Sequence, residues 1–365
     1  MVAVKIEKAK LQTMEIKEGN KNRPVVRSLF PKHFVAAGAF LIFMLPVALQ
    51  AQFACITNAD NTITITGYIG SDSNVIIPAT TNGLPVTSIY DSAFAYSALT
   101  SVTIPDSVTT IGNDAFAACF SLTNVTFGNG VTSIGDLAFA NTALTSVTLP
   151  NSVTLIGDSA FNSCTNLTDV TIPDSVLNIA AYTFEFCSGL TNVTIGYGVT
   201  FIDTDAFGYC SNLTQVIMPD NVISVEAGAF EGCSNLTSVY FEGNAPYFGY
   251  SIFDGSPFNG DPATVYYLPG TLGWGSAFAG VPIVQWFLPQ PLILNKSPNF
   301  GVQSNQFGFT ISWATNVPVV VEACSNLSNP VWLPVSTNTL VGGTSYFQDP
   351  QPANLPGSFY RLRLQ

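Results

Sequence analysis

The chain has a single histidine and, over most of its length, almost no positive charge. His33 lies near the start, so neither a Ser-His-Asp nor a Cys-His arrangement nor a His-based zinc site is available to the rest of the chain. Eight of the eleven Lys and Arg residues precede residue 33; beyond it only Lys296, Arg361 and Arg363 are basic. After residue 51 the chain therefore carries three basic against twenty acidic side chains, a formal charge of −17 compared with −12 for the whole. Neutralising phosphates takes clustered Lys and Arg, so this deficit argues against a nucleic-acid partner. It also leaves residues 34–295 without a basic group to abstract a proton. Charged residues of both signs make up only 9% of the chain and apolar ones 47%, ample material for a long core.

The first 51 residues have the layout of an export signal. A basic segment ends in Arg27-Ser-Leu-Phe-Pro-Lys32, an apolar run extends from Phe34 to Leu49, and Gln50-Ala51-Gln52 supplies a small-residue cleavage point after Ala51. Met14 is an alternative start. A retained membrane anchor is the competing reading, against which stand Pro46 and a run at the short end of the roughly 17 to 25 residues needed to span. Cys55 lacks a lipoprotein box, because Gln52 sits where Leu is required. These features predict a signal peptide over residues 1–51, a secreted or cell-surface product, and contact with a membrane only through that segment.

An internal repeat dominates the chain beyond this segment. Ala-Phe pairs end in Phe94, Phe116, Phe139, Phe161, Phe184, Phe207 and Phe230, at steps of 22 or 23 residues. Each Phe is followed by Leu-x-x-Val and then by another apolar position, as in Leu99-Thr-Ser-Val102-Thr-Ile104. A second apolar pair closes the unit, as in Val108 with Ile111. One such unit cannot bury its apolar face alone, so this period predicts a solenoid whose stacked coils share a core. Alternation and β-branching predict a short strand at residues 99–104, stacked in parallel with its counterparts. Thr109-Thr-Ile111 reads as a second, shorter strand, and Asp114-Ala-Phe116-Ala-Ala-Cys119 as a single helical turn that inserts Phe116 into the core. The ends are degenerate, as capping requires. Val75-Ile-Ile77-Pro78 begins a first coil with a five-residue insertion, while Phe253 keeps the step from Phe230. The segments 263–270 and 274–278 read as a distorted last coil that stops near Trp286.

The unit from Leu99 to Ser121, LTSVTIPDSVTTIGNDAFAACFS, resembles the BspA-type leucine-rich repeats of secreted and surface proteins. The resemblance covers residues 75 to about 286 and implies a mainly β leucine-rich-repeat solenoid with a role in adhesion or surface display, without naming a partner. The expected organisation is a signal peptide (1–51), an N-terminal cap (52–74), the solenoid (75–287), a linker (288–299) and a C-terminal module (300–365). In that module Phe307, Phe309, Ile311 and Trp313, then Val317, Val319 and Val321, alternate with polar or small residues, which predicts a small β-sandwich of fibronectin-III or immunoglobulin type.

Chemistry-bearing residues fall on repeat positions. Cys119, Cys164, Cys187, Cys210 and Cys233 lie three residues after their Phe, with Ser97 and Thr142 at that place in other coils. Buried thiols are the expectation, with disulfides between neighbouring coils as the alternative. Metal binding by these cysteines is disfavoured, because parallel side chains do not converge tetrahedrally. Asp106, Asp174 and Asp220, and separately Asp114, Asp136 and Asp158, form acidic ladders that suit either calcium or simple turn formation. No other cofactor is expected. Asp203 and Asp205 are the nearest approach to a glycosidase acid pair, with a solvated turn as the competing account. Asn-x-Thr triplets such as Asn166-Leu-Thr168 serve as glycosylation sites only in a eukaryotic secretory pathway. The expected binding surface is a flat polar face formed by Ser101, Thr103, Asn124, Thr126, Ser146, Thr148, Asp169, Thr171, Asn192 and Thr194. Phe120, Tyr182, Tyr197 and Tyr209 sit at different positions of the unit and form no aromatic run. The chain thus reads as a monomeric, non-enzymatic scaffold for an extracellular protein or glycan. A passive surface-layer protein attached by its C-terminal module is the alternative, and a carboxylate glycosidase the minor one.

Overall fold

A computed structural model describes residues 52–249, 258, 261–288, 290–294, 300–303, 306–314, 316–325, 328, 330–352 and 359–365. The export signal and its cleavage point, Phe253 and part of the linker lie outside these. Among the described residues every regular element is a strand.

Each coil has three sides. The first is the predicted strand, which shortens to its central residues: Ser101–Thr103, Asn124–Thr126, Ser146–Thr148, Asp169–Thr171 and Asn192–Thr194. Neighbours pair in parallel and in register, Ser101 with Asn124 and Ser146 with Asp169, for example, so equivalent residues form columns along the axis. Val102, Val125, Val147, Val170 and Val193 point inward and are buried, while their flanking residues face out. The second side is the predicted short strand, as at Thr110–Ile111 and Ser133–Ile134, again parallel.

The third side corrects the expected helical turn. In each coil the residues two before and two after the Phe have left-handed backbone: Ser92 and Tyr96, Asp114 and Ala118, Leu137 and Asn141, Ser159 and Ser163, Tyr182 and Phe186, Asp205 and Tyr209, all with φ between 50° and 59°. Gly228 and Gly232 continue the series. Such a conformation costs a non-glycine residue about 1 to 3 kcal/mol. The compensation is a third hydrogen-bond ladder. The amides of Asp114, Phe116 and Ala118 donate to the carbonyls of Asp136, Ala138 and Ala140 in the next coil, and the pattern repeats. Helical amides bond within their own segment; overlapping left-handed turns free alternate amides to point along the solenoid axis instead.

The core is a column of rings. Phe94, Phe116, Phe139, Phe161, Phe184, Phe207 and Phe230 are all essentially inaccessible, with successive centroids 4.8 to 5.4 Å apart and planes within 15° of parallel. Offset contacts of this kind add about 0.5 to 1.5 kcal/mol per pair beyond burial. At the front, the antiparallel strands Phe53–Thr57 and Ile63–Tyr68 lay Phe53 and Tyr68 over Phe94. The predicted insertion is a hairpin, Thr80–Thr81 against Leu84–Ile89, turned at Asn82 and Gly83 with φ of 53° and 79°. At the back, the ring that stacks on Phe230 is Phe258, at 5.6 Å. Val281–Gln285 is the last parallel strand, pairing with Thr264–Tyr267.

Residues beyond 290 form two small antiparallel sheets around a separate core. One contains Leu292–Leu294, Gly301–Gln303, Gln306–Ser312 and Thr344–Pro352; the other Pro318–Cys324, Leu333–Thr339 and Phe359–Leu364. Phe309, Ile311 and Phe347 from the first meet Val319 and Val321 from the second, with Leu340 at the edge, a sandwich arrangement. Glu322 is clamped by Arg361 and Arg363 across its sheet at 2.7 and 2.9 Å, which holds its carboxyl below the usual range. The sandwich touches the solenoid at Pro269 and Gly270. A Cβ on Gly270 would come within 2.6 Å of Thr344 and 3.1 Å of Leu294, and one on Gly343 within 2.7 Å of Pro269.

Candidate binding face

The ten expected binding residues all lie on the first side of the solenoid. Nine are exposed and Ser101 is half-buried, its hydroxyl donating to Asn74 Oδ1 at 2.7 Å. They fall into two columns because a strand turns alternate side chains to the same face. One column runs Ser101, Asn124, Ser146, Asp169, Asn192 and continues through Gln215, Ser238 and Thr264; the other runs Thr103, Thr126, Thr148, Thr171, Thr194 and continues through Ile217, Tyr240, Tyr266 and Val284. The parallel pairing is interrupted between Asn124–Thr126 and Ser146–Thr148 and again between Asn192–Thr194 and Gln215–Met218.

The second column changes character after Thr194, a change that the scattered positions of the exposed aromatics in the sequence conceal. Tyr240 and Tyr266 stack at 4.8 Å, and Trp286, just past the last parallel strand, lies 4.7 Å from Tyr240. All three rings are half-buried, with Ile217 and Val284 exposed beside them. A column alignment of the residue after the strand Val, reading Thr, Thr, Thr, Thr, Thr, Ile, Tyr, Tyr, carries the signal. A further exposed pair, Phe186 and Tyr209, stacks at 4.9 Å on the turn side, so the aromatics do gather once the fold is formed.

Beside the second interruption a cavity of about 250 Å³ opens between Asn192 and Thr194 on one lip and Gln215 and Ile217 on the other, with Tyr197 and Glu242 at its end. A second cavity of about 180 Å³ shares Tyr197 and Glu242 and runs past Asp220, Asn244 and Thr271 to Leu292 of the C-terminal sandwich. The shared residues make the two one groove. Burial raises the Glu242 carboxyl above its usual range; a hydrogen bond with the Tyr197 hydroxyl partly offsets this, and Asp220 adds to it. The same Glu242 charge raises the Tyr197 phenol.

The cysteines and acids of the repeat have structural partners. The thiols of Cys119, Cys164, Cys187, Cys210 and Cys233 are fully buried, and each donates to the carbonyl of the preceding coil's Phe at 3.1 or 3.2 Å. No disulfide forms among the described residues. Burial pushes Cys119 up to about 11 and Cys187 and Cys210 also upward. Asp106 and Asp174 accept the amides of Asn129 and Tyr197 in the next coil. Asp136 accepts from Asp158 in the same manner, and its equivalents are Asp91 and Asn113 rather than Asp114, which occupies a left-handed position one residue on. Among the described residues no three His, Cys, Asp or Glu side chains are grouped so as to hold a metal ion. Asp203 accepts the amide of Thr204 and Asp205 takes a left-handed position, so both belong to the turn side.

Residues 87–214 and 200–259 match the family model of the BspA type leucine rich repeat region, in six copies. No curated protein matches the chain. Among solved structures, a leucine rich repeat protein of T. pallidum is 32% identical over 56% of this chain and 86% of its own, with a TM-score of 0.42. A leucine-rich repeat protein from Bacteroides ovatus is 23% identical over 59% of this chain and 70% of its own, with a TM-score of 0.37. The pneumococcal vaccine antigen PcpA is 19% identical over 53% of this chain and 68% of its own, with a TM-score of 0.29.

Proposed function

The chain belongs to the BspA-type leucine-rich-repeat family, and on that basis we propose that it is a non-catalytic recognition scaffold, exported from the cell, that binds an extracellular protein or glycan through its strand face. The observation that carries this reading is the pair of columns, in register within each run of paired strands, which present hydroxyl, amide and carboxylate groups from five successive coils on one side of the solenoid. Regular repetition of small polar groups suits an extended partner. The core beneath them fixes their positions, so little conformational entropy is lost on binding. Export supports the reading through the basic and apolar layout of residues 1–51.

The test is binding of the chain from Gln52 to Gln365 to immobilised extracellular-matrix proteins and glycans, with the triple variant Thr126→Lys, Thr148→Lys, Thr171→Lys as control. Saturable binding that weakens at least about tenfold in the variant, a difference of about 1.4 kcal/mol, is the expected outcome. A folded protein that binds nothing in either array would replace this reading with the passive structural one.

A further inference from the structure

We propose that the groove at Tyr197 and the adjoining aromatic shelf of Tyr240, Tyr266 and Trp286 form a site for a neutral oligosaccharide. This deepens, and rests on, the recognition role above. The lips of the groove are Asn192, Thr194 and Gln215, groups that both donate and accept hydrogen bonds, the capacity that a ligand covered in hydroxyls requires. Next to them the surface turns apolar and aromatic through Ile217, Tyr240 and Trp286. Rings of this kind offer an apolar body with a polar tip, which suits a pyranose with its C–H face and its hydroxyl rim. Taken together the two cavities fall within the range of about 300–1,000 Å³ typical of small-molecule sites, which pair an apolar lining with a few placed polar groups.

Two alternatives fit less well. Phosphate, sulfate or carboxylate ligands require positive charge, and residues 34–295 contain no Lys or Arg, while Glu242 and Asp220 line the groove. An extended peptide adds to a sheet through unpaired backbone groups at an edge. Beside the groove Asn192–Thr194 and Gln215–Met218 do not pair, but their Cα atoms still approach within 8 Å, closer than the roughly 9.6 Å that a strand inserted between them needs.

The experiment titrates the chain from Gln52 to Gln365 with cellohexaose, xylohexaose, mannohexaose and chitohexaose, with a heparin hexasaccharide as anionic control, by calorimetry and tryptophan fluorescence. At least one neutral hexasaccharide is expected to bind, with affinity falling tenfold or more in Tyr240→Ala and in Gln215→Ala but unchanged in Thr110→Ala, on the second side of the coil. Gln215 is exposed, so its variant keeps the test open if Tyr240→Ala fails to fold. Preference for the sulfated sugar, or neutral binding that ignores both groove variants, overturns the assignment. If no hexasaccharide binds while a matrix protein does, the oligosaccharide site falls and the recognition role stands; if neither binds, both fall.

Discussion

Asp261 lies near the end of the solenoid, half-buried, and its carboxylate oxygens lack a well-formed hydrogen bond among the described residues. Burial raises its carboxyl to about 7, with Glu231 adding repulsion and only the backbone of Cys233 opposing. A folded value above the unfolded one means that the folded chain holds the extra proton. Stability from this group is complete below about pH 4 and is lost as pH rises towards 7. Asp261→Asn removes that loss, softened by the side chain's partial exposure. Its melting temperature should exceed that of the parent by about 3 °C at pH 8 and match it at pH 4, read by circular dichroism. The thiols yield a second residue-scale prediction. Six of the seven cysteines are buried and only Cys55 is partly accessible, so a bulky thiol reagent should label the native protein at most once and the denatured protein seven times. More than one rapid labelling in the native state would show that the ladder or the C-terminal core around Cys324 opens.

The column of phenylalanines makes each coil dependent on the next. Phe161→Ala removes a ring packed against Phe139 and Phe184 and should cost about 3 to 5 kcal/mol, measured as a loss in denaturant midpoint. A loss below about 1 kcal/mol would mean that neighbouring rings close the gap. This column, the two strands and the thiol positions were legible in the sequence because each arises from one residue repeated at a fixed step. The turn side was not. Asp114-Ala-Phe116-Ala-Ala-Cys119 is composed of residues compatible with a helix, and the requirement that forbids one, amides directed to the next coil, is a property of stacking. The step of 23 residues pointed to Phe253, which lies outside the described residues; the stacking of Phe258 on Phe230 is set by reach in space, which a fixed sequence step does not carry. The polar columns of the candidate face were legible as exposed positions from strand alternation. The aromatic part was hidden because Tyr240 stacks on Tyr266 and also meets Trp286, a residue just past the last parallel strand.

On the scale of the whole molecule, each coil touches only its neighbours, the two ends are closed by aromatic contacts, and the C-terminal sandwich seats against the last coil. That seat depends on a missing side chain. Gly270 has φ of 86°, and any Cβ there meets Thr344 and Leu294. Gly270→Val should separate the sandwich from the solenoid, seen as faster proteolysis within residues 288–299 with the solenoid's own melting transition kept; unchanged proteolysis would show that the contact is dispensable. The stacking of coils has a mechanical consequence. The hydrogen bonds between coils run along the axis, so a pull applied along it loads them end-on, one coil interface at a time. Each coil that gives way releases 22 or 23 residues of chain, about 75 Å at full extension. A chain loaded in this way would lengthen in equal steps, dissipating work at each, before either end had to give way.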